Sequence, residues 1–335
     1  MGHVNFPRLR FPRQRATRWH GPRTIGEVAI IIRADRLRSS SLIPETVSNI
    51  TAELGEGPSW DAEKKVLYWV DISGGIVYVH TPNNPNDEVV HRVKSVSCVV
   101  PRRGGGGLVL TSQHGIYGLE LKSKTLTPLT EQVETDREEN RFNDGKCDPS
   151  GRFWAGTMNG LKSSPSGSLY VLERDHRLRR ALPGVTVSNG MGWSPDNKTM
   201  YYIDSPTRRV SAFDYALGTG EIGNRRTVVD FSQTQQPGNP DGMAVDEEGM
   251  IWVAHWGGAR VTRWDTSSGR LLETIAVPAD QSSSCCFGGD NLDELYITSA
   301  RHQLDPKVLA AKPLSGSLFM AKVGVRGLPT NAFDG

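Results

Sequence analysis

Strand-like runs return at a nearly constant interval along this chain, and that repetition limits the available folds more than any other feature. VLYWVD (66–71), LVLT (108–111), RFWAGT (152–157), TMYYID (199–204), MIWVAH (250–255) and ELYITS (294–299) are rich in aromatic and β-branched residues. Counted from Leu67, Leu108, Phe153, Met200, Ile251 and Leu295, the intervals are 41, 45, 47, 51 and 44 residues. One propeller blade takes about 40 to 50 residues, so six such units predict an all-β, six-bladed β-propeller. A second strand is expected in each unit, over 76–80, 115–121, 167–172, 209–214, 260–265 and 316–322. Helical periodicity is confined to 305–311, which disfavours an α/β sheet. The last unit, from Glu294 to about Arg326, is expected to pair with a strand near residue 45, closing the ring and removing exposed sheet edges.

A chain of 335 residues exceeds the usual single domain, yet propellers reach this size as one unit. With 37% apolar and 23% charged residues and a mean hydropathy of −0.42, it can bury a sizeable core. No stretch approaches the ~18 apolar residues of a membrane span, and the longest apolar candidate, 28–32, is too short for a signal-peptide core. Cys98, Cys147, Cys285 and Cys286 lack metal-binding spacing and read as buried thiols of a reducing, cytoplasmic compartment. The net charge of +2 divides unequally, because residues 1–40 carry nine Arg and no Lys against Glu27 and Asp35. That Arg-rich, Pro-punctuated head is expected to be a disordered extension, with the propeller spanning 45–335. The remainder is mildly acidic and gives no reason to expect nucleic acid as a partner. The expected state is a monomer or weak homodimer.

Three polar clusters, LGEGP (54–58), SNG (188–190) and PDG (240–242), each place one oxygen-bearing side chain in a turn leading into a repeat unit. In a propeller such positions converge at one rim of the central channel, although they lie about 50 to 130 residues apart. Glu56, Asn189 and Asp241 would then offer two carboxylates and an amide carbonyl to Ca²⁺, Mg²⁺, Mn²⁺ or Zn²⁺. A glycine beside each ligand is expected to let the backbone come close and take positive φ. Each of the three could instead bond only its own turn. Arg141 and Asn143, in RFNDG (141–145), could hold a substrate beside the ion, and Arg141 could equally pair with Glu138 or Glu139 at the surface. His255 reads as a satisfied structural residue, Gly104–Gly107 as a flexible turn, and the segment 282–289 as core.

Together with LGEGPSWD (54–61), the segments RFNDGKCDPSGRFWAGTM (141–158), SNGMGWSPDNKTMYYIDS (188–205), FDYALGTGEIGNRR (213–226), PDGMAVDEEGMIWVAHWGGARV (240–261) and SSCCFGGDNLDELYITSAR (283–301) resemble the senescence marker protein/gluconolactonase family. The resemblance runs from about residue 45 to Gly327. It implies a six-bladed propeller that binds one divalent cation in its channel and hydrolyses sugar lactones. It also implies metal ligands at Glu56, Asn189 and Asp241, and substrate contacts from Arg141 and Asn143. Several members have an acidic residue soon after the Gly-Thr-Met turn that touches the sugar, and Met158-Asn159-Gly160-Leu161 offers none.

The expected function is therefore metal-dependent hydrolysis of a gluconolactone-like sugar lactone to the aldonic acid, with Asp241 as both ligand and general base. Ca, Zn, Mg, Mn and Fe all remain open as the ion. Two rivals stand beside this reading: hydrolysis of other lactones, esters or organophosphates on the same site, and a non-catalytic calcium-binding propeller.

Overall fold

Each apolar run of the repeat forms the second strand of a four-stranded antiparallel sheet, and six such sheets occur among the described residues. The computed structural model describes residues 43–335; the Arg-rich segment 1–40, read above as a disordered extension, lies outside the described residues. The first blade comprises Gly55–Asp61, Val66–Asp71, Ile76–His80 and Glu88–Arg92. The second comprises Val99–Pro101, Leu108–Thr111, Ile116–Leu119 and Leu126–Pro128. Asn140–Cys147, Phe153–Asn159, Gly167–Leu172 and Leu178–Val185 form the third. The fourth is Ser188–Trp193, Thr199–Asp204, Arg209–Ala216 and Glu221–Asp230. The fifth is Asn239–Val245, Ile251–Trp256, Arg260–Trp264 and Leu271–Ala276. Gln281–Gly288, Glu294–Ala300 and Phe319–Lys322 make the sixth, and its outermost strand is Glu45–Thr46. Glu45 pairs with Met320 and Thr46 with Phe319, so the expected closure is present.

The polar segments read from the sequence as turns are themselves strands, and they are the innermost ones. Gly55–Asp61, Ser188–Trp193 and Gln281–Gly288 are buried throughout. Neighbouring inner strands touch directly: the Ser283 hydroxyl donates to the Gly55 carbonyl at 2.6 Å, and the Asn143 amide donates to the Ser188 carbonyl at 2.8 Å. The Lys146 amine of the third blade reaches the Met243 carbonyl of the fifth at 2.6 Å. Gly, Ser, Asn and Asp favour turns when met in isolation. Here the narrow axis of the ring selects them, because six strands cannot converge with large side chains between them. The segments taken for second strands are the third strands, and the last of them begins at Phe319 instead of residue 316.

Apolar packing lies between blades. Six clusters of buried side chains fill the six seams, with Trp252 and Phe287 between the fifth and sixth blades and Trp60 and Tyr296 between the sixth and first. The seam of the third and fourth blades holds Trp154, Trp193, Tyr202 and Tyr215. Beyond the sixth blade the chain returns across one face of the ring. The Leu328 amide donates to the Val245 carbonyl at 3.2 Å, the Phe333 amide to Pro101 at 2.9 Å and the Asp334 amide to Gly151 at 2.9 Å. Phe333 is fully buried in the seam of the second and third blades. The predicted helical stretch is the short helix Pro306–Ala311, capped by Asp305, whose carboxylate accepts from the Lys307 amide at 2.8 Å.

Two buried aspartates lock the turns that start the second strands. Asp148 accepts from the Ser150 and Arg152 amides, the Trp154 indole at 2.9 Å and the Tyr215 hydroxyl at 2.7 Å, and pairs with Arg152 at 3.1 Å. Asp246 repeats the device in the fifth blade, accepting from the Trp252 indole at 3.0 Å and pairing with Arg263. One carboxylate thus fixes the turn, the aromatic side chain of the seam and a cation from a neighbouring segment. Asp148→Ala takes one of its two carboxylates from buried Arg152, which keeps Glu173 at 2.9 Å, and removes the acceptor of the buried Trp154 indole, so it is expected to cost about 2 to 4 kcal/mol. The measurement is a urea unfolding curve whose midpoint falls at unchanged slope; a loss below about 1 kcal/mol would mean the network carries little of the fold's stability.

Candidate metal centre

Four of the inner strands are interrupted at matching places. Opposite its second strand, the first blade pairs Glu56 with Val70 and then Ser59 with Tyr68, so three steps on one strand face two on the other. The same mismatch separates Phe142 from Gly145, Ser188 from Met191 and Pro240 from Met243. These are β-bulges, which end regular pairing and re-aim side chains. Asn143, Asn189 and Asp241 occupy bulges and Glu56 immediately precedes one. The turns anticipated at these positions are therefore kinks within continuous strands.

The glycines following the candidate ligands act in two ways. Gly57 has φ of +53°, as expected for a residue freed from a Cβ. Gly190 and Gly242 do not take positive φ, contrary to expectation, and are needed for close approach. A Cβ on Gly190 would stand 2.6 Å from the Asp241 carbonyl oxygen, and one on Gly242 would stand 2.6 Å from the Ser284 Cα. The bulges thus press neighbouring inner strands together beside the side chains they redirect.

Glu56, Arg141, Asn143, Asn189 and Asp241 all line one cavity of about 430 Å³ at the mouth of the channel. Glu56, Asn189 and Asp241 are 8%, 5% and 4% exposed. A relay of hydrogen bonds orients the amides. Arg141 Nη1 donates to the Phe142 carbonyl at 2.8 Å and to Asn143 Oδ1 at 2.9 Å, so it does not pair with Glu138 or Glu139. Asn143 Nδ2 donates to the Ser188 carbonyl at 2.8 Å and to Asn189 Oδ1 at 3.2 Å. Asn189 Nδ2 donates to Ser205 Oγ at 2.9 Å, and that hydroxyl donates to the Pro240 carbonyl at 2.6 Å. Both amide hydrogens of Asn143 are engaged, leaving only a lone pair on its carbonyl oxygen for anything in the cavity.

The acceptors are less well served. Asp241 Oδ1 is buried without a hydrogen-bond partner among the described residues, and Glu56 accepts only from the adjacent Gly57 amide at 3.2 Å. A buried carboxylate oxygen left unpaired is costly, and a cation removes that cost. Two carboxylates and the Asn189 carbonyl form a hard-oxygen set that fits Ca²⁺, Mg²⁺, Mn²⁺ or Zn²⁺. No group of three His, Cys, Asp or Glu side chains gathers as a metal cluster among the described residues, so the set depends on the asparagine.

Electrostatics point the same way. Burial and then the Asp144 carboxylate push the Glu56 carboxyl up to about 8, and burial followed by Glu56 and Asp144 raises Asp241 well above the usual carboxylate range. Asp144 is itself raised by burial. This third carboxylate stands next to Asn143 in RFNDG, and that neighbourhood is the one signal of it in the sequence. Ser205, which links Asn189 to the fifth blade, carried no signal of its own. His255 is outside the cavity: its Nδ1 donates to the Pro237 carbonyl at 2.9 Å, its Nε2 accepts from Thr262 at 2.6 Å, and burial lowers it to about 4. The four cysteines are free and buried, and burial pushes the Cys285 thiol up to about 12.

A family model described as the SMP-30/Gluconolactonase/LRE-like region matches residues 54–301. Regucalcin of Oryctolagus cuniculus is 40% identical over 305 residues, which cover 88% of this chain and 100% of that protein. Regucalcin of Danio rerio is 39% identical over 300 residues, with the same coverage. Among solved structures, a luciferin-regenerating enzyme superposes with a TM-score of 0.81 at 35% identity, covering 87% of this chain and 99% of that one. A calcium-binding protein, regucalcin from Agrobacterium tumefaciens, also gives a TM-score of 0.81, at 26% identity over 87% of this chain and 97% of its own.

The raised carboxyls make stability in the absence of an ion depend on pH. Glu56 holds its proton more tightly folded than unfolded, so its contribution is complete below its ordinary value of 4.5 and is lost as pH rises toward about 8, with Asp241 acting in the same direction. The Tm of chelated protein is expected to fall between about pH 5 and about pH 8, and added Ca²⁺ to restore it most at the upper end. Thermal melts of wild type and Glu56→Gln across that range test this, since the variant should show the shallower slope. A chelated Tm that rises with pH over the same interval would contradict it.

Proposed function

The chain belongs to the SMP-30/gluconolactonase/LRE-like family, and from that premise we propose that it hydrolyses a sugar lactone to the corresponding aldonic acid at the channel mouth. The observation that carries this reading is the unpaired, buried Asp241 Oδ1, in one cavity with Glu56, Asn189 and the substrate-sized space beside Arg141. Glu56, Asn189 and Asp241 are the residues that would hold a divalent cation. The chemistry supplied by such an ion, when bound, is polarisation of the ester carbonyl and acidification of a water.

The protein groups supply the rest. Asp241 accepts the proton of the attacking water as its oxygen bonds to the lactone carbonyl carbon. Arg141 has Nη1 committed to Phe142 and Asn143, which fixes the guanidinium plane and leaves Nη2 without a hydrogen bond among the described residues, directed to substrate hydroxyls and developing negative charge. Asn143 contributes chiefly by orienting Arg141 and Asn189, and its remaining lone pair can accept from one sugar hydroxyl. When the ring C–O bond breaks, the leaving alkoxide takes the proton back, which balances the hydrolysis.

Hydrolysis of D-glucono-1,5-lactone by chelated protein, with Ca²⁺, Zn²⁺, Mg²⁺, Mn²⁺ and Fe²⁺ returned one at a time, tests activity and ion together. Activity is expected to vanish on chelation and return with at least one of them. Asp241→Ala should lose at least about 10² to 10⁴ in kcat, the range typical of a general base. Arg141→Ala should lower kcat/KM for lactones; an unchanged value for every lactone tested would remove it from the substrate site. An ion that raises Tm while no lactone, ester or phosphotriester is turned over would favour a calcium-binding propeller without catalysis.

A further inference from the structure

The cavity wall carries a cation that the lactonase chemistry does not use. Lys162 lies in the loop between Phe153–Asn159 and Gly167–Leu172, and that loop is built on a buried side chain. Asn159, 6% exposed, accepts from the Leu161 amide at 3.1 Å and the Ser163 amide at 3.3 Å, while the Lys162 amide donates to the Asn159 carbonyl at 2.8 Å. Lys162 takes a φ of +53° in this setting. Its amine lies 5.9 Å from the ring centroid of Trp256, on the fifth blade, so the side chain extends from the third blade across the mouth of the cavity. No carboxylate pairs with it among the described residues.

Charge counting gives this amine its significance. The acids lining the cavity are Glu56 and Asp241; the permanent cations are Arg141 and Lys162, with His302 at the rim. Glu53, next in sequence to the lining Leu54, faces Arg301 at 4.0 Å and His302 at 3.9 Å. A dication on Glu56, Asn189 and Asp241 cancels both lining carboxylates, and the Asp144 carboxylate behind them is faced by the Lys146 amine, so Arg141 and Lys162 remain as excess positive charge on the wall. Arg141 sits beside the reacting end. Lys162 is exposed at the opening, where its charge also reaches Asp241, so the two cations are placed to meet different parts of one ligand.

Resting on the lactonase reading of this site, we infer that the preferred substrate is an anionic sugar lactone, whose carboxylate or phosphate, remote from the ester, is bound by Lys162 against the face of Trp256. The indole presents an apolar wall that lowers the local dielectric and strengthens the attraction. Lys162 is thus a specificity-determining residue and not a catalytic one.

The test compares kcat/KM for three lactones of the same carbon skeleton: neutral D-glucono-1,5-lactone, the lactone of the aldaric acid with a carboxylate at the far carbon, and the 6-phosphorylated gluconolactone. At low ionic strength one of the charged lactones is expected to exceed the neutral one by about tenfold or more, and which one does identifies the anion. That ratio should shrink as salt is raised. It should fall to near unity in Lys162→Met and below unity in Lys162→Glu. The neutral lactone turned over as well as or better than both charged ones, or a ratio unaltered in Lys162→Met, overturns the inference while leaving lactonase activity standing. No turnover of any of the three overturns the lactonase reading and this inference together.

Discussion

Six strands must share one narrow axis, and the rest of the molecule is organised by that crowding. Small and polar residues line the inner strands because nothing larger fits between them, while the aromatic residues move outward into the seams. Crowding alone would give a plain wall. Bulges interrupt five of the six inner strands, and the four at matching places turn Asn143, Asn189 and Asp241 toward a common space, with Glu56 at the edge of its own kink. The inter-strand contact that makes the fold possible and the convergence that makes a site possible thus have one origin.

That origin also explains the peculiar electrostatics. Carboxylates so close to the axis have little water and few donors, and the hydrogen-bonding capacity nearby is spent on aligning amides. The Arg141–Asn143–Asn189–Ser205 chain is satisfied link by link, whereas Asp241 Oδ1 has no donor. A satisfied amide relay beside an unsatisfied carboxylate is an arrangement in which the scaffold is rigid before any ligand arrives. The missing interaction is then reserved for a positive charge.

The repeat of apolar runs made the blade number and the ring closure legible, since aromatic and β-branched strands bounded by turn residues have few other readings. The inner strands were not legible as strands: Gly55-Glu56-Gly57-Pro58 and Ser188-Asn189-Gly190 carry turn chemistry, and only the demand of the axis overrides it. Site residues could be picked out because Glu56, Asn189 and Asp241 stand at equivalent places in a repeat. Lys162 could not, because its importance comes from a loop conformation held by Asn159 and from Trp256, almost a hundred residues away in sequence. Among the glycines beside the candidate ligands, Gly57 takes positive φ while Gly190 and Gly242 do not, because whether a glycine answers to dihedral freedom or to a neighbour's backbone depends on contacts between blades.

Closure by Glu45–Thr46 against Phe319–Lys322 has a consequence for how the molecule is made. The two partners are separated by roughly 270 residues, so a nascent chain emerging from the ribosome can assemble its early blades but cannot complete the closing one until Phe319–Lys322 has been made. During that interval the first blade lacks its neighbour, and the apolar seam of Trp60 and Trp69 waits for Tyr296 and Leu318. Long-range pairing of this kind slows folding and prolongs the life of unfinished forms. The protein is therefore most vulnerable to association with its own copies while it is still being born.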